Sequence, residues 1–347
     1  MKFYVSTYTE GFFGEGPNGS KGIYLCEYDE DNISLNVLAD YDNSINPSFI
    51  KLSNDKKNLF VVCEKLPPSR IDNYLVNENG ELFFNDSVQL GYRSPCYISC
   101  DKENSFVAVA NYGSGSIFTY MFDDKAKFFK QVSNYKNYDI GPNAERQEMA
   151  HAHSIRLIDA LNVYVACDLG CDKIDFYNYE AGGYLSKSDI NSIKVPAGYG
   201  PRHTTNSKDG KYLYVTCELK NRVLFYELIN GQYELKQDLS SIDESSSIQN
   251  AIADIHISSD YKYLFVSNRG QDNIVEYEVK NNGSLIKVAS ADCGGNGPRN
   301  FAVCDNYLIC ANQDSNNCTI LEIQKGLLTG KILCTKEFIS PVCIEKL

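Results

Sequence analysis

Residues 163–168 read VYVACD, and the way this hexapeptide is framed decides the fold. Valine and tyrosine favour extended chain, and an apolar run this short, closed by one acid, suits a strand covered on both faces. A turn follows (LGCD, 169–172), then KIDFYNY (173–179), whose apolar and polar residues alternate as in a half-buried strand. The same frame recurs as FYVSTY (3–8), LFVVCE (59–64), FVAVAN (106–111), LYVTCE (213–218), LFVSNR (264–269) and LICANQ (308–313). The seven copies start 44 to 57 residues apart, and most lead into an alternating run of tyrosine and aliphatic residues such as RVLFYEL or NIVEYEV. No segment shows a helical period. Repetition of one multi-strand unit at this interval predicts an all-β fold, a seven-bladed β-propeller.

An extended run precedes each copy and has its own anchor: Pro47, Pro95, His153, Pro201, Asp254, Pro298 and Pro341. The last anchor opens PVCIEKL (341–347), which has no middle run after it, while the first middle run has no anchored run before it. The two ends complete one unit if the N-terminal strand pairs with the C-terminal strand. That closure removes the exposed sheet edges that invite aggregation, and it makes residues 1–347 a single domain.

Composition narrows the function. The 347 residues are 43% hydrophobic and 22% charged, as in a soluble globular chain. A net charge of −12 argues against a nucleic-acid partner and against docking on an anionic membrane. No run approaches a membrane span, and MKFYVSTYTE lacks the apolar centre of a signal peptide. Thirteen cysteines, several inside strand-like runs, then read as reduced, buried thiols, and the expected location is cytoplasmic. Cys96 with Cys100 and Cys167 with Cys171 have no second pair close by, so no metal is expected. GEGPNG (14–19) matches G-x-G-x-x-G, but it joins two strands and contains Pro17. It reads as a hairpin loop, and no cofactor is expected.

In a propeller blade the first strand is innermost and the second runs antiparallel beside it. The start of one and the end of the other therefore lie at the same mouth of the central channel. The starts carry His151 and His153, Arg202 and His203, Asp254 and His256, and Arg299 and Asn300. The ends carry Tyr8, Glu64, Asn111, Asp168, Glu218, Arg269 and Gln313. All four histidines and three arginines thus gather at one mouth of a strongly acidic chain. Cations in a concave site favour an anionic ligand, and the guanidinium fork suits carboxylate or phosphate. The competing reading is that such residues bond neighbouring loops. His256, two residues into its strand, reads as a satisfied core histidine.

The phrases ERQEMAHAHSI, DLGCDKI, GPRH, CELKNRV, ADIHISSD, SNRGQDNI and GPRNF resemble the lactonase family of seven-bladed propellers. That family includes propeller-type 6-phosphogluconolactonases and carboxy-cis,cis-muconate lactonizing enzymes. The resemblance extends from YVSTYTE to PVCIEKL with the blade order kept. It implies roles for His153, favoured over His151, and for Arg202, Glu218, Arg269 and Arg299. The chain departs from the family pattern at MAHAH, where a proline often precedes the first histidine, and at Cys217, where asparagine is common. Neither departure removes a reacting group.

Rim and resemblance together lead to an enzyme that hydrolyses a small anionic sugar-acid lactone, 6-phosphogluconolactone in the first place, within the pentose phosphate pathway. Glu218 or His153 would deprotonate water, Arg202 or Arg269 would stabilise the oxyanion, and the remaining arginines, Arg299 especially, would hold the phosphate. Arg146, Gln147, His203 and His151 are further expected substrate contacts. Arginines beside Glu218 lower its pKa, which moves the base role toward His153. The same cluster also fits a muconate-type cycloisomerase, and a third reading is a non-catalytic binding scaffold. Segments 137–150 and 238–254 are expected at the same mouth, as lids or as solvated loops. A homo-oligomer is compatible with all of this.

Overall fold

A computed structural model of the chain describes residues 1–10, 19–64, 69–91, 94–123, 125, 127–180 and 182–347. The glycine-rich look-alike at 14–19 lies, except for Gly19, outside the described residues. Every repeat folds as an antiparallel sheet, and seven sheets make a propeller. Blade 1 is ordered Pro341–Lys346, Lys2–Thr7, Ile23–Asp29 and Ser34–Tyr41. Blades 2 and 3 begin with Pro47–Leu52 and Pro95–Cys100. Blades 4 and 5 begin with Ala152–Ile158 and Pro201–Asn206, and blades 6 and 7 with Ala251–Ile257 and Pro298–Val303. Blade 4 carries a short extra strand, Ile193–Lys194, on Lys173–Glu180. Among the described residues the only helical turn is the 3-10 segment Tyr112–Ser114.

The ring closes as the two chain ends require: Lys2–Thr7 pairs antiparallel with Pro341–Lys346. Packing shows why the middle strands are apolar throughout. Each of the seven core clusters draws its side chains from two adjacent blades. Successive residues of a strand point to opposite faces. Phe3 and Val5 accordingly pack toward blade 7, while Tyr4 packs toward blade 2.

One detail of register positions the site. In every blade the innermost strand bulges near its start, so that one extra residue stands opposite its neighbour. In blades 4, 5 and 7 the extra residues are His153, Arg202 and Arg299. A bulge interrupts strict alternation and re-aims a side chain, so both members of the pair Arg202 and His203 reach the channel region.

Candidate active site

Glu218 follows the second strand of blade 5, where its N–H donates to the Gly200 carbonyl at 2.8 Å. Its carboxylate is buried, and three guanidinium groups converge on it. Arg202 Nε donates to Oε2 at 2.8 Å, and Arg146 Nη2 donates to Oε1 at 2.8 Å. Arg269 Nη2 stands 3.1 Å from Oε2 as an ion pair not aligned as a hydrogen bond. His153 Nε2 lies 3.9 Å from Oε2, too far for a hydrogen bond but close enough to feel the charge. Burial alone would raise the Glu218 pKa, but Arg269, Arg202, His153 and Arg146 overcome it and hold the carboxyl well below the usual range. For His153, burial comes first, then Arg202 and His203, and its pKa falls well below that of free imidazole. The neutral His153 ring has a buried Nδ1 without a hydrogen-bond partner.

A second acid faces the same mouth. Tyr8 Oη donates to Glu64 Oε2 at 2.7 Å. Arg299 lies over the Tyr8 ring, 5.6 Å from its centroid, and donates to Gln313 Oε1 at 3.3 Å. Arg299 also acts electrostatically on Glu218, Glu64, Arg202 and His153, so the two acids and their arginines form one charged neighbourhood.

Behind Arg202 a polar column descends the channel. Arg202 Nη1 lies 3.3 Å from His203 Nε2, and His203 Nδ1 is 2.7 Å from Asp254 Oδ1. Asp254 Oδ2 is 2.8 Å from His256 Nε2 and also accepts from Asn300 Nδ2. Burial, then Arg202, pushes the His203 pKa down to about 4 despite Asp254.

The structure thus brings together His153, Glu218, Arg202, Arg269, Arg146 and Arg299, and it places the other sequence candidates differently. Gln147 is fully buried. Its Nε2 donates to the Leu169 carbonyl and to Asp172, both at 2.8 Å, and its Oε1 accepts from the Asn143 N–H, so its amide pins the loop instead of facing a ligand. His151 stacks on Tyr112 at 4.2 Å and bonds the Tyr112 carbonyl and Glu148, which makes it a packing residue of the same loop. His203 lies beneath Arg202, fixed by Asp254. His256 is not a core residue: its side chain is 40% exposed, toward the other mouth of the channel. Two strand steps past Asp254 carry it about 7 Å further down.

Tyr112 was not anticipated. Its hydroxyl accepts from Arg146 Nη2 at 3.3 Å, and its N–H donates to the Ser94 carbonyl, the bond equivalent to that of Glu218. The rim residue of blade 3 is therefore Tyr112, one position beyond Asn111. In blade 4 the equivalent bond belongs to Leu169, and Asp168 instead accepts from the His151 and Cys171 N–H groups. Comparing the residues after each middle run, rather than their last members, would have found Tyr112.

Segment 137–150 delivers Arg146 because glycine lets it approach. A Cβ at Gly170 would stand 1.9 Å from the Met149 carbonyl oxygen. On the far side of the mouth, Gly270 has φ +118°, and a Cβ there would meet the Gln249 carbonyl oxygen at 2.1 Å. Each rim loop sits directly on the turn of the blade it leads into.

Chemically, an ionised carboxylate spent on three cations is a poor base near neutral pH. A neutral imidazole with a free nitrogen can accept a proton, and guanidinium N–H groups can receive an oxyanion. Among the described residues no three His, Cys, Asp or Glu side chains gather closely enough to hold a metal ion.

The chain resembles known proteins over nearly its whole length. The family model "Lactonase, 7-bladed beta-propeller" matches residues 2–345. A 6-phosphogluconolactonase of Bacillus subtilis is 31% identical over 99% of this chain and 97% of its own length. A 6-phosphogluconolactonase of Formosa agariphila is 33% identical over 90% of each. The solved structure of a Pseudomonas aeruginosa periplasmic gluconolactonase superposes with a TM-score of 0.90 at 27% identity, covering 99% of both chains. The propeller is that of a lactone-processing enzyme. The chain belongs to the lactonase family of seven-bladed β-propellers, and it is a lactonase.

Proposed function

We propose that the protein hydrolyses 6-phosphogluconolactone to 6-phosphogluconate at the mouth around Glu218. The observation that carries this reading is the charge of the site: four arginines, Arg146, Arg202, Arg269 and Arg299, surround the acids Glu218 and Glu64. The two charges in excess match a phosphate dianion or a phosphate together with a developing oxyanion. The names of the two relatives support the same substrate.

In this mechanism His153 is the base. Its imidazole takes a proton from water as the water oxygen attacks the lactone carbonyl, a contribution typically of about 10²–10⁴-fold. Glu218 stabilises the resulting imidazolium, much as a buried acid orients a catalytic histidine in a triad. Arg202 and Arg269 receive the oxyanion, where one placed donor contributes about 3 kcal/mol. Collapse of the tetrahedral intermediate breaks the ring C–O bond, and the imidazolium returns its proton to the departing alkoxide. The product acid then ionises. Arg299 holds the phosphate, with Tyr8 and Glu64 fixing its direction.

The test compares 6-phosphogluconolactone with unphosphorylated gluconolactone in the wild type and in Arg299→Gln. The reading predicts a wild-type preference for the phosphorylated substrate of about 10²-fold or more in kcat/KM, consistent with loss of charge-assisted bonds. Most of that preference should vanish in Arg299→Gln through KM. Equal wild-type activity on both lactones would refute phosphate recognition.

A further inference from the structure

The channel has a second mouth, and it contains a cavity of about 440 Å³. None of the residues gathered around Glu218 lines it. Phe49 and Tyr97, stacked at 4.2 Å, pack their rings with that of His203 between the two ends of the channel. Below this plug the walls carry Lys51, Arg156, His256, Ser99 and Tyr97. Such a volume is that of an ordinary small-molecule site.

The polar groups here are only partly used. Arg156 donates from Nη1 to the Thr204 carbonyl at 2.7 Å, which leaves its other guanidinium donors for a ligand. Ser99 lines the cavity and is 7% exposed, and its hydroxyl is buried without a hydrogen-bond partner. A buried hydroxyl left unpaired costs free energy that a bound acceptor would recover. Charge points the same way. The lining holds three fixed cations, Lys51, Arg156 and Lys346, and two carboxylates, Asp159 and Glu345. Glu345 is already engaged by Lys51 at 2.6 Å and by the Leu52 N–H at 3.0 Å. The third nearby acid, Asp254, is spent on His203, His256 and Asn300, which leaves Arg156 as the lining guanidinium with open donors.

We propose that the cavity opposite the catalytic mouth is a second binding site for a small oxyanion, a phosphate or carboxylate group held by Arg156, Ser99 and His256. The guanidinium supplies the forked donors, the Ser99 hydroxyl supplies one more once it turns about χ1 into the cavity that its residue lines, and the imidazole, with Nε2 on Asp254, closes the far side. This site needs no turnover, so it stands independently of the lactone reading.

The test is a titration of the intact protein with inorganic phosphate, followed by the imidazole resonances in ¹H–¹⁵N NMR, with sodium chloride of equal ionic strength as reference. Of the four histidines, only His256 lines this cavity. The expected result is a saturable shift of His256 with a dissociation constant on the order of 1 mM. Arg156→Gln should weaken it by about tenfold or more, as loss of a charge-assisted fork does. Ser99→Asp, which keeps Arg156 but places a negative charge in the cavity, should abolish it. The Ser99 variant decides the matter if Arg156→Gln does not fold. Phosphate bound at the catalytic mouth perturbs His153 and survives both substitutions, so it cannot imitate this pattern. A His256 response no larger than that to chloride, or one unchanged in Ser99→Asp, overturns the proposal.

Discussion

At the scale of single residues, the decisive fact is how differently two neighbours are held. Glu218 is kept ionised by three arginines, and His153 is kept neutral by burial and by Arg202. Replacing His153 by alanine should therefore lower kcat by about 10²–10⁴-fold while leaving the thermal transition within a few degrees of wild type. Steady-state kinetics and a melting curve check this together. His203 supports a separate prediction about acid stability. Its pKa falls from 6.5 to about 4 on folding, so between those pH values the unfolded chain binds a proton that the folded chain refuses. Stability is complete above pH 6.5 and is lost as pH falls through this window, by at most about 3 kcal/mol from this residue. Asp254, held well below 3.8 by its histidines, stays ionised throughout the window and does not oppose the trend. Chemical denaturation between pH 7 and 4.5 should show a shallower decline in His203→Gln than in the wild type. The arginine–acid cluster was legible in the sequence because hairpin geometry alone brings strand starts and strand ends together. The aim of individual side chains was less legible. Gln147 sits in a segment without periodicity, and nothing in its sequence distinguishes a pinned amide from an open one.

At the scale of elements, the bulge at the start of each innermost strand is what turns a structural ring into a site. His153, Arg202 and Arg299 are all extra residues at bulges. Without the bulge at Pro201–His203, Arg202 and His203 would point to opposite faces, and the column from Glu218 to Asp254 would be broken. The seven strands were readable from their apolar runs, but a bulge changes register without changing composition. His256 stands two residues along the strand from Asp254, which carries it past the rim to the other mouth, where it is exposed. The loop that carries Arg146 depends on the absence of a side chain at Gly170. Gly170→Ala would push a methyl group against the Met149 carbonyl and shift the loop. We expect it to raise KM several-fold by displacing Arg146, an effect of about 1–2 kcal/mol. The double variant with Arg146→Ala should show little further loss, since both changes act through the same guanidinium. Additive losses in that pair would detach the loop from the site.

At the scale of the whole molecule, seven interfaces between adjacent blades share the core, and blade 1 is completed only by non-covalent pairing of the chain ends. Ile344 is 5% exposed in the cluster between blades 7 and 1. Ile344→Ala should cost about 2–5 kcal/mol, as for other large-to-small core changes. Removing residues 341–347 should expose the Lys2–Thr7 edge and produce aggregation visible by size-exclusion chromatography. A closed ring also explains how eight side chains, Tyr8, Glu64, Arg146, His153, Arg202, Glu218, Arg269 and Arg299, from six blades and one loop can be held in a single charged mouth, since no blade alone brings a base next to an oxyanion donor. The account is tested most directly by the rate of 6-phosphogluconolactone hydrolysis above its spontaneous background, measured for the purified wild type and for Glu218→Gln with matched circular dichroism. The predicted result is clear wild-type turnover and a loss of about 10²-fold or more in the variant. A wild-type rate equal to the spontaneous one, or a variant as active as wild type, would contradict it.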